Sequence, residues 1–346
     1  MNPARRPKIA IATGDAGGIG PEIAIKSALD PTVRSFCDPI LVSDPVLLEK
    51  HAKACGLPST FRVIDEIEDD MDTGEVVVLD PHFAGAANIG LGEASANSGR
   101  ASLAFARAAI KAAMAGTVDA VVAAPQNQTA IASAGIEFDG YPSFVARETG
   151  LSPHDVYLML CFGNTKIVHC TLHVSVKSAI DLITRERVRR VIDTTYGALK
   201  RLGTRTPVIC VGGLNPHAGE GGLFGQEDLT IVKPAIEEAA AEGIRVSGPH
   251  GADTMFHKSG IDAFIVMLHD QGHIAAKLLA PRATAGLAIG SPILFSSVAH
   301  GSGHDIVGKG VASPSAMIEA ISRLAKAGTG LVPVDQQGQR PGSRPQ

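Results

Sequence analysis

The stretch Lys8-Ile-Ala-Ile-Ala-Thr-Gly-Asp-Ala-Gly-Gly-Ile-Gly-Pro-Glu22 decides the fold class. Its first five residues form a short apolar run that reads as a strand, and the glycines after it read as a tight turn. Pro21 and Glu22 stand where a helix begins. Proline there gives up an N–H that would have no intrahelical partner, and an acidic side chain suits the positive end of the helix dipole. Moving outward, 39–42 and 75–79 are further strand candidates, 95–115 reads as an alanine-rich helix stopped by Gly116, and 120–124 as a short buried strand. This alternation predicts an α/β chain with a largely parallel sheet covered on both faces.

The texture changes around 125–140, which places a lobe boundary there. Segments 156–161 and 166–171, joined across Gly163-Asn164, read as a hairpin. Helices are expected over 185–202, closed by Gly203, and over 226–241, with acidic residues early. Strands are expected at 207–211 and 263–267. The last helix is expected over 314–327, with Ser313 as its cap. Residues 332–346, rich in Gln, Pro, Gly and Arg, predict a disordered tail.

Composition narrows the function classes. A formal net charge of −4 offers no electrostatic basis for binding nucleic acid or an anionic membrane. No apolar stretch approaches the roughly 20 residues of a membrane helix. No long apolar region with a cleavage site follows the basic N-terminus, so the expected location is cytoplasmic. Five cysteines, an odd number without a Cys-x-x-Cys pair, argue against a disulfide framework and a thiolate zinc site.

Gly14, Gly17, Gly18 and Gly20 do not match the dinucleotide fingerprint, and no Lys-Ser/Thr follows to make a phosphate loop. The functional reading is that Asp15 and the bare backbone line a ligand cleft; the plain one is tight-turn geometry. Three other segments fall just beyond predicted strands: Thr171-Leu-His-Val-Ser, the glycine-rich 212–222 that projects Asn215, His217 and Glu220, and Met267-Leu-His-Asp-Gln-Gly-His-Ile-Ala-Ala-Lys277. Open α/β sheets place ligands at such strand ends. His173, His217 and His269 share that topological position, and three neutral imidazoles hold a divalent ion while leaving positions for substrate oxygens. Zinc suits such a set, though cobalt, iron or magnesium also serve. His269 and His273 would share one helical face, but Gly272 between them argues against a helix. His300 and His304, a glycine-flanked pair, read as cofactor contacts or loop structure.

Segments 14–22, 212–222, 268–272 with Lys277, and 300–310 together resemble the signatures of the 4-hydroxythreonine-4-phosphate dehydrogenase family of vitamin B6 biosynthesis. The resemblance implies an isocitrate/isopropylmalate dehydrogenase-like α/β fold of two lobes about a central cleft, here 1–126 plus 285–331 and 127–284, the second carrying the metal site. It also implies a homodimer that completes each site, one divalent ion per subunit on His173, His217 and His269, and Lys277 against the substrate. NAD would lie across the cleft near 248–253 and 299–305, with Asp15, Gly18, His300 and Gly301 as cofactor contacts; no residue excludes NADP, and the absence of an arginine cluster near 299–305 favours NAD.

The departures matter as much. Where the family has Gly-His-Thr-Glu, this chain has Gly140-Tyr-Pro-Ser143; the family's substrate arginine falls on Phe295 and its asparagine on Gly286. Losing a guanidinium fork and two polar partners leaves little to hold a phosphate dianion. The terephthalate cis-dihydrodiol dehydrogenase branch resembles this chain at these positions. Its chemistry is oxidation and decarboxylation of 1,2-dihydroxy-3,5-cyclohexadiene-1,4-dicarboxylate to protocatechuate, carbon dioxide and NADH. On that reading Lys277 holds the departing carboxylate or moves a proton, while Asp253 and Asp270 orient ligands or relay. Tyr141, Ser143, Gln126, His273 and Asn215 are the substrate contacts. The rival enzyme is the B6 dehydrogenase itself; the rival of another class is a non-catalytic metal or small-molecule sensor.

Overall fold

The computed structural model describes residues 5–68, 74–280 and 284–328; the predicted tail lies outside the described residues. Twelve strands among them form one sheet: β1 (Lys8–Ala12), β2 (Asp38–Val42), β3 (Arg62–Ile64), β4 (Val77–Leu79), β5 (Ala120–Ala123), β6 (Tyr157–Phe162), β7 (Thr165–His169), β8 (Val208–Gly212), β9 (Arg245–His250), β10 (Ala263–Val266), β11 (Ala285–Ile289) and β12 (Phe295–Val298). Their order is β3-β4-β2-β1-β5-β12-β11-β6-β7-β10-β8-β9. The wings are parallel, and the centre, β12-β11-β6-β7, is antiparallel.

The helices are α1 (Gly20–Leu29), α2 (Pro31–Phe36), α3 (Pro45–Ala54), α4 (Ala96–Met114), α5 (Gln128–Ser133), α6 (Tyr141–Glu148), α7 (Val176–Leu182), α8 (Arg185–Arg201), α9 (Lys233–Ala241), α10 (His269–Leu279) and α11 (Ser315–Gly328). β1 shows why two layers are needed. It is buried along its whole length, with Ile9 and Ile11 in one apolar layer and Ala10 and Ala12 in the other. Side chains start the helices: Ser95 and Ser98 cap α4 reciprocally, and Thr184 accepts from Arg187 N at 3.2 Å to start α8.

The predicted α/β class, the hairpin (β6 and β7) and most strands appear at or near their expected places. Four strands had no reading. β3 is three residues long, β9 lacks an apolar alternation, and β11 and β12 lie in the antiparallel centre, outside the βα rhythm. Two expectations are corrected. The helix expected over 226–241 opens with a π-helical turn, Asp228–Val232, because Pro234 has no N–H to donate one turn back. Gly272 does not break a helix; it lies inside α10, for a reason that belongs to the site.

Candidate active site

β7, β10 and β8 are adjacent and parallel, so the loops leaving their C-terminal ends converge. His173 follows β7, His269 is the first residue of α10 after β10, and His217 lies in the turn after β8. The rings of His173 and His269 are 5.6 Å apart between centroids. His217 stands on the neighbouring loop, largely exposed, against Phe224. Among the described residues no three His, Cys, Asp or Glu side chains are already gathered into a metal cage.

The hydrogen bonds of these three imidazoles fit a divalent ion nonetheless. His173 Nδ1 faces the Asp139 carbonyl, His269 Nδ1 is 2.7 Å from Asp270 Oδ1, and His217 Nδ1 is 3.3 Å from Glu220 Oε2. Each oxygen can only accept, so in a neutral ring Nδ1 carries the hydrogen and Nε2 keeps its lone pair. An outer oxygen that fixes the tautomer of a ligating histidine is the usual support of such sites. Asp270, exposed and off the cavity, is thus an orienting partner of His269. The turn that presents His217 is strained: His217, Ala218 and Glu220 all have left-handed φ values, 53°, 53° and 44°. The buried carboxylate of Asp228 holds the base of this turn, accepting from Leu214 N at 2.7 Å and Asn215 N at 2.9 Å. The Asn215 amide is committed there too, donating to Glu227 and Asp228.

α10 carries His269, His273 and Lys277 at four-residue spacing, which puts all three on one face. That face borders a cavity of about 410 Å³ whose floor includes Leu158, Leu160 and Val298. Gly286 also lines it; a Cβ there would come 3.2 Å from Leu158 Cδ1 and 3.3 Å from Ser297 Oγ, so a side chain would crowd both. Beneath α10 lies His169, a histidine without an assigned role in the sequence reading. It is 2% exposed, and its Nε2 is 3.1 Å from His273 Nδ1. Burial above all, then the neighbouring His273, pushes its pKa down to about 3; burial, then His269, pushes His273 to about 4. A Cβ on residue 272 would lie 2.3 Å from His169 Nε2, so only glycine lets the helix settle over this ring. The glycine inside α10 was the sequence signal for a buried neighbour there.

The other predicted contacts are spread around this centre. His300 lines the cavity, with open space at Gly301 beside it. Tyr141 turns inward: its hydroxyl donates to Ala124 O at 2.9 Å and accepts from Gln126 Nε2 at 2.7 Å, and its ring packs 5.0 Å from Phe295. Burial pushes its pKa up. Ser143 donates to Asp139 and Gly140 and lines a smaller hollow shared with His173 and His169. Asp253 is exposed on the turn after β9. Asp15 is 1% exposed, its carboxylate spent on His304 Nε2 at 2.6 Å and Gly17 N at 3.1 Å. Gly18 lies under Ser302, whose carbonyl would be 2.7 Å from a Cβ. In this structure backbone and buried carboxylates fill the first glycine motif, while His300 and Gly301 are exposed at the cavity.

Residues 35–324 match the family model described as the pyridoxal phosphate biosynthetic protein PdxA. A 1,2-dihydroxy-3,5-cyclohexadiene-1,4-dicarboxylate dehydrogenase from Comamonas sp. is 40% identical over 320 residues, 92% of this chain and 96% of that protein. The crystal structure of 4-hydroxythreonine-4-phosphate dehydrogenase from Klebsiella pneumoniae superposes with a TM-score of 0.82 at 32% identity, covering 93% of this chain and 99% of that one. A terephthalate 1,2-cis-dihydrodiol dehydrogenase from Burkholderia xenovorans LB400 superposes at 0.68 with 40% identity, covering 93% and 98%. With this family match across most of its length, the chain belongs to the PdxA family and is a dehydrogenase of that family.

Proposed function

We propose that this dehydrogenase oxidises and decarboxylates a ring cis-dihydrodiol dicarboxylate of the terephthalate dihydrodiol type, with NAD as hydride acceptor, giving a catechol-type acid, protocatechuate for the terephthalate diol, and carbon dioxide. The observation that carries the reading is the charge of the cavity. Among its described lining residues it has one ammonium, Lys277, and no guanidinium, and the position of the family's arginine is Phe295, 1% exposed and packed on Tyr141. One ammonium over an apolar floor suits a carboxylated ring better than a phosphate dianion, which asks for a bidentate fork. The names of the Comamonas and Burkholderia relatives support the same substrate class.

A divalent ion on His173, His217 and His269 would supply Lewis-acid polarisation of the vicinal substrate oxygens, and NAD the hydride acceptor. The protein's own work is placement. Leu158, Leu160 and Val298 receive the ring, and the ammonium of Lys277 holds the carboxylate that will leave. The Nδ1 partners of the three histidines keep the lone pairs aimed outward. Oxidation beside the carboxylate makes a β-keto acid, and its loss of carbon dioxide yields an aromatic ring.

We further read the active form as a homodimer. Ile274, Leu278 and Leu279 of α10, the helix that borders the cavity, are exposed, as are Val176 and Ile180 of α7, and a second copy of the chain would cover them.

A second reading, 4-hydroxythreonine-4-phosphate dehydrogenase, draws on the closer superposition of the Klebsiella enzyme, 0.82 against 0.68. Offering NAD and a divalent ion with either the diol dicarboxylate or 4-phosphohydroxythreonine separates the two. NADH and carbon dioxide from the diol alone are expected. Turnover of the phosphate alone would replace the first reading with the second.

A further inference from the structure

His273 differs from the other cavity histidines because a second buried side chain stands behind it. Its Nδ1 is 3.1 Å from His169 Nε2 and 3.2 Å from the carbonyl of His269. His169 Nδ1 in turn is 3.4 Å from the carbonyl of Leu158. A carbonyl oxygen only accepts, so both Nδ1 atoms carry their hydrogens. His169 Nε2 is then bare and shares the His273 Nδ1–H with the His269 carbonyl. The opposite arrangement would aim two lone pairs at two carbonyls. With one ring proton on each imidazole, His273 Nε2 keeps a lone pair, and no protein hydrogen bond is formed by it among the described residues. His273 is not placed to join His269 on one ion, because the two rings stack 3.8 Å apart at 8° and a ring lone pair lies in its ring plane, so two near-parallel planes do not meet at one ion.

Position 169 also asks for an explanation. It is the last residue of β7, buried beneath α10, where an aliphatic residue would have no polar atom to satisfy. The chain places a histidine there and a glycine at 272 to make room for it.

We propose that His169 is a positioning residue that locks His273 in the Nδ1–H tautomer, and that His273 Nε2 thereby accepts a hydrogen bond from a substrate hydroxyl. A carboxylate cannot take that place, since it brings only lone pairs. The pair therefore selects for a hydroxyl at this point of the cavity and moves the second ring carboxylate elsewhere. The identity of that hydroxyl rests on the dihydrodiol reading; the tautomer lock does not.

The test uses the full chain, labelled with 15N-histidine, and a long-range proton–nitrogen correlation that distinguishes the two tautomers, with the His273 signals identified by their loss in His273→Gln. In the wild type the Nδ1–H form is expected. In His169→Leu the His273 signal should move toward the Nε2–H form, and in His169→Gln, whose amide oxygen can accept the same hydrogen, it should return. A binding arm compares 3,4-dihydroxybenzoate with benzoate. Wild type should prefer the hydroxylated ring by about tenfold; His169→Leu should lose that preference while still binding benzoate, and His169→Gln should regain it. A wild-type Nε2–H signal, or a hydroxyl preference absent from wild type or undiminished in His169→Leu, overturns the proposal. The wild-type spectrum decides the tautomer even if His169→Leu does not fold. A locked tautomer and a hydroxyl preference without turnover of the diol would sink the proposed substrate and leave the lock standing.

Discussion

The loop after β1 and the loops after β7, β8 and β10 occupy matching positions at strand ends in the two wings of the sheet, yet they are built in opposite ways. In residues 13–22 the close approaches are taken by backbone. A Cβ would lie 2.4 Å from Pro125 O at Gly14, 2.1 Å from Glu93 O at Gly17 and 2.1 Å from Thr13 O at Gly20. Its charged groups are buried and satisfied. Asp15 holds His304, while Glu22 accepts from Lys26 Nζ at 2.7 Å and Ala312 N at 2.9 Å, locking the loop to residues 302–312. The loops of the other wing present His173, His217 and His269 to the open, in one case on a strained left-handed turn. A glycine-rich motif can thus be a joint, while the side chains left free stand on the loops of the other wing.

Substitutions separate joint from chemistry, and the largest effect is expected in the open wing. His269→Ala removes one proposed metal ligand. Turnover should fall about 1000-fold, on the order of 4 kcal/mol of barrier, with bound metal lost in parallel as read by elemental analysis. Because the side chain is partly exposed, the denaturation midpoint should barely move. Activity above a tenth of wild type would remove His269 from the site. Lys277→Met should follow at about 100-fold, with metal content intact, since only the carboxylate partner is gone. An unchanged kcat and KM would show that Lys277 merely borders the cavity.

The joint should respond in the opposite currency. Gly20→Ala forces a methyl into Thr13 O and should cost about 3 kcal/mol in urea unfolding. The kcat of the fraction that folds should stay within about twofold of wild type. A stable Gly20→Ala protein with a collapsed kcat would reverse the comparison and return the motif to the ligand.

Legibility in the sequence followed the same division. β1, α4 and the β6–β7 hairpin were readable because periodicity, caps and the Gly163-Asn164 turn agree locally. The strand-end placement of His173, His217 and His269 was readable because each follows a strand recognisable in the sequence; the rings of His173 and His269 lie 5.6 Å apart, and His217 stands on the neighbouring loop. What escaped depends on contacts between distant segments. The pairing of Asp15 with His304, 289 residues away, could not be read from either segment alone. His169 was hidden because a polar residue in a buried strand has meaning only once α10 lies on top of it. Gly272, taken as a helix breaker, was the clue to that packing. The left-handed turn at 217–221 could not be foreseen from Pro216 and its glycines, since its non-glycine residues carry the strain against local preference.

The smallest expected effect concerns His51, which ties α3 to the joint. It is fully buried, donates from Nε2 to Ala16 O at 2.8 Å, and its Nδ1 is buried without a hydrogen-bond partner. Burial is the main cause that lowers its pKa below the usual 6.5. The native state therefore stays neutral at pH values where the unfolded chain, near 6.5, has taken up a proton. Above that value both states are neutral and the site adds no pH dependence. As pH falls below it, the unfolded state gains protons first, so stability is lost toward the lowered native pKa, by less than about 1.4 kcal/mol per pH unit. His51→Gln keeps a donor for Ala16 O and removes the titration. Its urea midpoint should fall less steeply than wild type between pH 6.5 and the onset of acid unfolding, with equal slopes above. Parallel curves throughout would mean that His51 takes up its proton equally in the folded and unfolded chains, and the joint would then accept a buried cation below pH 6.5.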